Sequence, residues 1–164
     1  PPATASSHSN SHVVYRPVLP HPPWIALTPD ISPGNYWAFR GHYANLTVHL
    51  ARPVYIDSIT LEHTPKTSAF HSKSAPSDFA VYGIPCSSYT NHPSLHEIPL
   101  GRFHYSIDDD AKHIQTFDVE ISTNSFQPQL SCAVRLEVLS NHGSEQYTCL
   151  YRLRVHGAEP EKAH

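Results

Sequence analysis

The stretch CAVRLEVL at residues 132–139 decides the fold class of this chain. Its apolar residues Val134, Leu136 and Val138 alternate with smaller or charged ones, and a period of two is typical of a strand with one buried face. Residues 46–50 repeat this alternation. The sequence therefore predicts strands that each present one face to a common core.

Further short strands are predicted along the rest of the chain, at residues 54–61, 79–82, 101–105, 115–119 and 147–155. Residues 101–105 and 115–119 flank the acidic run at 108–110, a pattern that indicates a hairpin. No stretch of eleven or more residues has helical periodicity without a Pro or Gly break. Many short strands with frequent turn residues favour an all-β fold, a single antiparallel, jelly-roll-like β-sandwich.

Charge and composition limit the partners. The 164 residues hold 11 Lys and Arg against 14 Asp and Glu, a formal charge of -3, together with 14 His. Since no basic run stands out, we expect no nucleic-acid partner. No apolar run approaches the ~20 residues that span a bilayer. The chain begins without Met, so we expect a fragment of a longer protein, and the sequence leaves open a targeting or membrane segment upstream of it.

Neither catalysis nor zinc binding is predicted. The sequence has no Gly-x-Ser-x-Gly elbow, no His-Glu-x-x-His motif and no glycine-rich phosphate loop, so we expect no enzymatic activity. Cys86, His92 and His96 lie close in sequence, but a structural zinc site needs four ligands and this spacing matches no finger. The acidic run at 108–110 is interpreted as a solvated turn rather than a cation site.

Three cysteines leave at least one thiol without an internal partner, so the cysteine count does not decide between an oxidising and a reducing compartment. Cys132 and Cys149 fall in predicted strands, where we expect them to be buried as small hydrophobic side chains. Asn45-Leu46-Thr47 is a glycosylation sequon. Alternation turns Leu46 inward and Asn45 outward, so a glycan fits if the domain is lumenal. Chance occurrence in a Ser- and Thr-rich chain is the interpretation that the sequence alone favours.

Several blocks carry a family resemblance. They are PGNYWAF at 33–39, LEH at 61–63, SAPSDF at 74–79, GRFHY at 101–105, SNHG at 140–143 and YTCLYRLRVHG at 147–157. In this order and spacing they resemble the SUN domain over residues 24–158. Residues 1–23 are then a proline-rich arm, partly disordered, and residues 159–164 a C-terminal tail. The proline- and histidine-rich character suggests a fungal member.

The resemblance implies a β-sandwich in the perinuclear space, on the lumenal side of the inner nuclear membrane. SUN domains bind the extreme C-terminus of KASH proteins of the outer membrane and link the nuclear envelope to the cytoskeleton. His63, Ser74 and Tyr147 match the family's pocket for the terminal carboxylate of that peptide. Such a pocket needs several donors that converge on one anion.

The resemblance also implies a cation loop at residues 25–35, with a monovalent ion (K⁺ or Na⁺) beside the peptide site; no other cofactor is implied. The matching positions are Ile25, Thr28, Asp30, Asn35 and Tyr151. Hard oxygen ligands suit such an ion. An ordinary Pro-Asp and Pro-Gly turn is the alternative, and it predicts the same loop without the ion.

Two departures from the animal family carry expectations. Tyr36 stands where animal members have a cysteine that pairs with the counterpart of Cys149. We therefore expect Cys149 to be a free thiol packed against Tyr36, and a reductant to leave the melting temperature nearly unchanged. The proline-rich arm replaces the lid hairpin and the trimer-forming coiled coil, so we expect this fragment to be a monomer.

The competing interpretation is a jelly-roll carbohydrate-binding module of a secreted protein. Such modules usually bind sugar on exposed aromatic side chains. Trp24 and Trp37 are the only tryptophans, and Trp37 falls inside a family block, where we expect it to be buried.

Overall fold

The computed structural model describes residues 21–67, 72–86, 97–120 and 129–161. In these ranges strands predominate, no α-helix forms and two short 3-10 helices occur. The elements are η1 (Pro23–Leu27), β1 (Trp37–Arg40), β2 (Ala44–Glu62), η2 (Ser72–Ser74), β3 (Asp78–Pro85), β4 (Ile98–His104), β5 (Ile114–Asp118), β6 (Leu130–Val138), β7 (Tyr147–Leu150) and β8 (Arg152–Ala158). None of the helices in these ranges is long and apolar enough to cross a membrane.

Strand β2 connects the layers of the sandwich. Its first part, residues 44–55, pairs with β6, which continues to β3 and then β4. Its second part lies between β5 and β8 over residues 58–62. All of these pairs are antiparallel, and β1 pairs separately with β7. The predicted antiparallel β-sandwich is confirmed.

The register of β2 against β6 shifts between His49 and Val54. Pro53 lies inside this interval, and proline has no N–H to give to a strand ladder. An irregularity at this point bends the strand. The two segments predicted separately, 46–50 and 54–61, are therefore parts of one long strand that serves both layers.

The core lies between the layers. Phe117 of β5 meets Phe79 of β3 edge to face, with ring centroids 5.1 Å apart. Phe103 of β4 lies 5.4 Å from Phe117 and 5.6 Å from Phe79. Val134, Leu136 and Val138, the alternating residues of β6, are fully buried. Each such side chain contributes about 1.5–3 kcal/mol by leaving water.

The predicted hairpin of residues 101–105 and 115–119 is wrong. Strand β4 pairs with β3, whereas β5 pairs with β2. The two strands lie at opposite ends of the six-stranded order β4-β3-β6-β2-β5, and Phe103 and Phe117 meet in the core without their strands pairing. The acidic turn between them is present, with the Ala111 N–H donating to the Asp108 carbonyl over 3.0 Å.

Two expectations about single residues also need correction. Cys86 and Cys132 form a disulfide between the end of β3 and the start of β6, so Cys132 is not a free buried thiol. The same bond removes Cys86 from any zinc site; His92 and His96 lie outside the described residues. Trp37 is only partly buried, and its ring packs on Phe39 at 4.8 Å.

Candidate functional site

Three aromatic rings line up where β1, β2 and β8 approach one another. Tyr36 precedes β1 and lies 5.1 Å from Tyr151, which links β7 to β8. Tyr151 lies 4.5 Å from His63, the residue after β2. We call Tyr36, Tyr151 and His63 the aromatic stack. It joins the loop before β1 to the predicted carboxylate site.

His63 is buried, with 7% of its surface exposed. Its Nδ1 lies 3.2 Å from the Thr64 carbonyl oxygen, whereas its Nε2 is buried and has no hydrogen-bond partner among the described residues. Burial lowers the pKa of His63 most. The bond to Thr64 opposes this effect, and the nearby His142 and His113 rings lower the pKa further. At neutral pH the ring is therefore neutral.

The proton on His63 can be assigned from this contact. A carbonyl oxygen only accepts hydrogen bonds, so Nδ1 must carry the proton that points at Thr64. In the neutral ring Nε2 then has a lone pair and no hydrogen. It becomes a donor only when the ring takes up a second proton, which an anion beside it favours.

Cys149 is free, as expected, and buried beside the stack. Its thiol makes hydrogen bonds with Ser74 and Tyr36, and burial raises its pKa. Burial, followed by the proximity of Cys149, Tyr147 and Tyr151, raises the pKa of Tyr36 to about 12. The predicted contact between Tyr36 and the lone thiol is confirmed.

The three residues predicted to bind a carboxylate all border this assembly. Ser74, in η2, is 3% exposed and reaches Cys149. Tyr147 opens β7 opposite Arg40 and is near enough to Tyr36 and Tyr151 to influence both phenols. His63 stacks on Tyr151. Residues from three distant parts of the chain thus surround one end of the sandwich.

The loop at residues 25–35 is held by its own hydrogen bonds. Asp30 accepts the backbone N–H of Ser32 at 2.9 Å and its hydroxyl at 2.5 Å, which lowers the pKa of the Asp30 carboxyl. The Asn35 amide donates to the Asp30 carbonyl at 2.7 Å. Gly34 adopts φ 93°, a conformation that glycine favours. The Tyr151 hydroxyl bonds the Gly34 backbone and ties the loop to the stack.

The oxygens of this loop fit a monovalent cation unevenly. The Ile25 carbonyl already accepts the Thr28 N–H at 3.1 Å and the Thr28 hydroxyl at 2.8 Å. Both of its lone pairs are therefore engaged, and Ile25 is the weakest candidate ligand. The Asp30 carbonyl accepts one bond from Asn35 and keeps a lone pair for an ion.

Two lysines near His63 were not predicted from the sequence. His63 lines a cleft together with Lys66, Tyr105, Lys112 and His113. Lys66 donates to the Asp108 carbonyl, which brings the loop after β2 to the loop before β5. The two lysines are far apart in sequence and belong to no motif, so only the fold reveals that they meet. Both lysines line the same cleft as the buried imidazole.

One cluster superficially resembles a catalytic triad. His104 Nδ1 lies 2.9 Å from Asp78 Oδ1, and the Ser77 hydroxyl lies 3.5 Å from the same nitrogen. A triad needs the serine on the other ring nitrogen, where the imidazole can take its proton. The His104 and Asp78 side chains are each 59% exposed, so this contact is a hydrogen bond on the surface.

Comparisons with known proteins identify the family. Residues 19–159 match the model of the family described as Sad1 / UNC-like C-terminal. Human SUN domain-containing protein 1 is 42% identical over 142 residues, which cover 85% of this chain and 17% of that protein. Mouse sperm-associated antigen 4 protein is 39% identical over 138 residues, which cover 83% of this chain and 28% of that protein. This chain thus spans less than a third of each relative.

Solved structures that resemble the chain share its fold. A family 32 carbohydrate-binding module from Streptococcus pneumoniae EndoD aligns with a TM-score of 0.59 at 12% identity, over 82% of this chain and 84% of the module. An F5/8 type C domain from Bacteroides fragilis aligns with a TM-score of 0.58 at 14% identity, over 83% of this chain and 80% of that domain. At such low identity these likenesses describe the sandwich alone. The family match and the close relatives place this chain in the Sad1/UNC-like C-terminal family, the family of the SUN domain.

Proposed function

We propose that this domain binds the C-terminal carboxylate of a KASH-protein tail in the perinuclear space and so links the nuclear envelope to the cytoskeleton. One observation carries the proposal: the buried Nε2 of His63, which has no partner among the described residues. A buried polar atom without a partner costs free energy, and sites where this occurs often bind a ligand. Membership of the SUN family supports a peptide as that ligand.

The chemistry of the site suits an anion. Protonated Nε2 supplies a charge-assisted hydrogen bond, and the Ser74 hydroxyl and Tyr147 phenol supply neutral ones. Lys66 and Lys112 at the rim attract negative charge without being buried. No permanent charge has to stay buried in the empty site, because His63 is neutral there.

The loop at residues 25–35 positions the same site through Tyr151. A monovalent ion held by the carbonyls of Thr28, Asp30 and Asn35 would connect these positions and fix the loop. Because Tyr151 bonds Gly34 and stacks on His63, a fixed loop also fixes the imidazole. The ion therefore acts on peptide binding through position, with Ile25 contributing least.

The disulfide between Cys86 and Cys132 supports a lumenal location. Disulfides persist in oxidising compartments and are rare in the cytosol and the nucleus. A domain that faces the perinuclear space, which is continuous with an oxidising lumen, is consistent with this bond. The full-length protein is then anchored in the inner nuclear membrane.

The decisive experiment compares two peptides that differ only at the C-terminus. A KASH-type tail with a free carboxylate is titrated against the chain, followed by the same tail as an amide. We expect the amide to bind at least about tenfold more weakly, because it lacks the negative charge that stabilises protonated His63. Equal affinities for both would refute the proposal.

The carbohydrate-binding alternative has one feature in its favour, since Trp24 on η1 is 61% exposed. A single exposed ring is common on soluble domains and defines no sugar site. Titration with a glycan array beside the peptide separates the two functions. The carbohydrate interpretation requires a glycan to bind and Trp24→Ala to abolish that binding.

A further inference from the structure

The segment Tyr43-Ala44-Asn45-Leu46-Thr47 begins strand β2 with a clean inside–outside alternation. Leu46 is buried in the core, whereas Asn45 and Thr47 are exposed on the outer face. The two polar residues of the sequon therefore point to solvent from the same side of the strand. A bulky group on Asn45 meets no core residue.

Tyr43 and Arg135 surround the Asn45 amide. The Tyr43 hydroxyl lies 3.2 Å from Asn45 Nδ2, and Arg135 donates to Asn45 Oδ1 over 2.7 Å. Tyr43 in turn donates to Glu137 over 2.7 Å, which holds the phenol in place. The side-chain oxygen and nitrogen of Asn45 thus face different partners.

Tyr43 is also one of the large hydrophobic side chains that the fold leaves uncovered. It is 53% exposed, although its hydroxyl is bonded at both sides. A ring fixed beside an exposed amide nitrogen offers an apolar face to whatever is attached there. The C–H face of a pyranose packs well on such a ring, because both surfaces are apolar and flat.

We propose that Asn45 carries an N-linked oligosaccharide whose first sugar packs on Tyr43. The inference rests on the proposed lumenal location, which the Cys86–Cys132 disulfide supports independently of the sequon. The acceptor pattern Asn-x-Ser/Thr is complete, with Leu46 at the variable position.

The modification is an ordinary glycosyl transfer to the amide. Asn45 Nδ2 forms a bond to the anomeric carbon of an oligosaccharide carried on a lipid diphosphate. The bond between that carbon and the diphosphate oxygen breaks, the lipid diphosphate leaves with its electron pair, and Nδ2 loses one proton. No oxidant or reductant is involved.

The contacts around Asn45 survive this change. Oδ1 keeps both lone pairs and still accepts from Arg135. Nδ2 keeps one hydrogen and can still donate one hydrogen bond. The bond that fixes the Tyr43 phenol, from its hydroxyl to Glu137, does not involve Asn45 and is unaffected.

Expression of the chain into the endoplasmic reticulum of a eukaryotic cell tests the proposal. We expect intact mass to show one glycan that peptide N-glycosidase removes, leaving aspartate at position 45. Asn45→Gln and Thr47→Ala should abolish the glycan, and Thr47→Ser should keep it. An unmodified chain recovered with its disulfide formed would overturn the proposal. Peptide binding by Asn45→Gln, measured separately, reports on the proposed function alone.

The contact with Tyr43 has its own readout. Enzymatic deglycosylation of the wild type should lower the melting temperature by roughly 2–4 °C. The same treatment of the Tyr43→Ala variant should change it by less, while Tyr43→Phe, which keeps the ring, should behave as the wild type. An equal loss in Tyr43→Ala and wild type would overturn the packing of the sugar on this ring.

Discussion

Cys86 and Cys132 show how one covalent bond changes an expectation about stability. The sequence offered three cysteines and no rule for pairing them, and the missing partner of Cys149 suggested a domain without disulfides. The fold instead places the other two cysteines at adjacent ends of β3 and β6, with Cα atoms 4.8 Å apart. Their sequence separation of 46 residues means that the bond closes a long loop.

Reduction should therefore destabilise the domain, contrary to the expectation from sequence. In the chain-entropy model a loop of this size contributes ~4 kcal/mol, through restriction of the unfolded chain. For a chain of this length that corresponds to a fall of several degrees in melting temperature. Differential scanning fluorimetry with and without a strong reductant measures it.

Two cysteine variants provide the controls for this experiment. A Cys86→Ser/Cys132→Ser variant should melt at the temperature of the reduced wild type and ignore reductant. Cys149→Ser should remain sensitive to reductant, because it keeps the disulfide. A wild type whose melting temperature does not respond to complete reduction contradicts the argument.

If the domain binds a peptide carboxylate as proposed, His63 makes that binding depend on pH. In the empty site burial keeps its pKa below the ordinary value of 6.5, and a bound carboxylate beside Nε2 raises it. Binding then takes up a proton. Affinity is lowest above the raised pKa of the complex, increases as the pH falls through it, and levels off below the lowered pKa of the free site.

We expect affinity for a free-carboxylate peptide to increase about three- to tenfold between about pH 8 and pH 5. The His63→Gln variant, measured in parallel, reports what His113, His142 and the peptide itself contribute. Titration calorimetry in two buffers of different ionisation enthalpy also counts the proton directly. A wild type with the same pH profile as His63→Gln would remove His63 from the mechanism.

At the scale of elements, period-two alternation predicted the strands because each has one face on the core. The strand predicted at residues 132–139 corresponds to β6 (Leu130–Val138), and Val134, Leu136 and Val138 are buried as their spacing indicated. Alternation carries no information about which strand pairs with which. The hairpin prediction was wrong for this reason: two strands that flank an acidic turn can pair with each other or with other strands, and alternation does not distinguish the two cases.

The candidate site likewise contains residues that the sequence identified and residues that only the fold reveals. His63, Ser74 and Tyr147 were identified through resemblance to a family, and the fold places them around the aromatic stack. Lys66 and Lys112 were missed, because long-range contacts between loops leave no local pattern. The cation site in the loop at 25–35 stays a prediction, and only the hydrogen bonds of Thr28 reveal that the Ile25 carbonyl is already engaged.

An ion pair connects the strand that carries His63 to the last strand. Glu62, 5% exposed, faces Arg152 across the β2–β8 pair, with Arg152 Nη1 at 3.3 Å. Arg154 Nε also lies 2.6 Å from the same oxygen, although its angle does not make a hydrogen bond. A nearly buried carboxylate with two arginines resists movement. The end of β2, and with it His63, is therefore held in place.

At the scale of the whole molecule, the surface of the described residues favours a domain that does not self-associate. The large hydrophobic side chains exposed in the described ranges are Trp24, Leu27, Tyr43 and Ile114. They lie on η1, before β2 and on β5, and the proposed glycan covers Tyr43. Stable homo-oligomers usually bury larger and more apolar areas than such separate side chains provide.

We therefore predict that this fragment is a monomer. No heptad repeat in residues 1–33 can drive assembly, and eight prolines there disfavour a helix. Light scattering on the Asn45→Gln variant, which carries no glycan, should give a mass near 18.3 kDa at micromolar concentration. Fusion of an unrelated trimeric coiled coil to residue 1 serves as the control and should give three times the mass of one fused chain. A stable trimer without the fusion would show that the sandwich itself holds an interface. Trp24 and Leu27 on η1 are then the first residues to substitute.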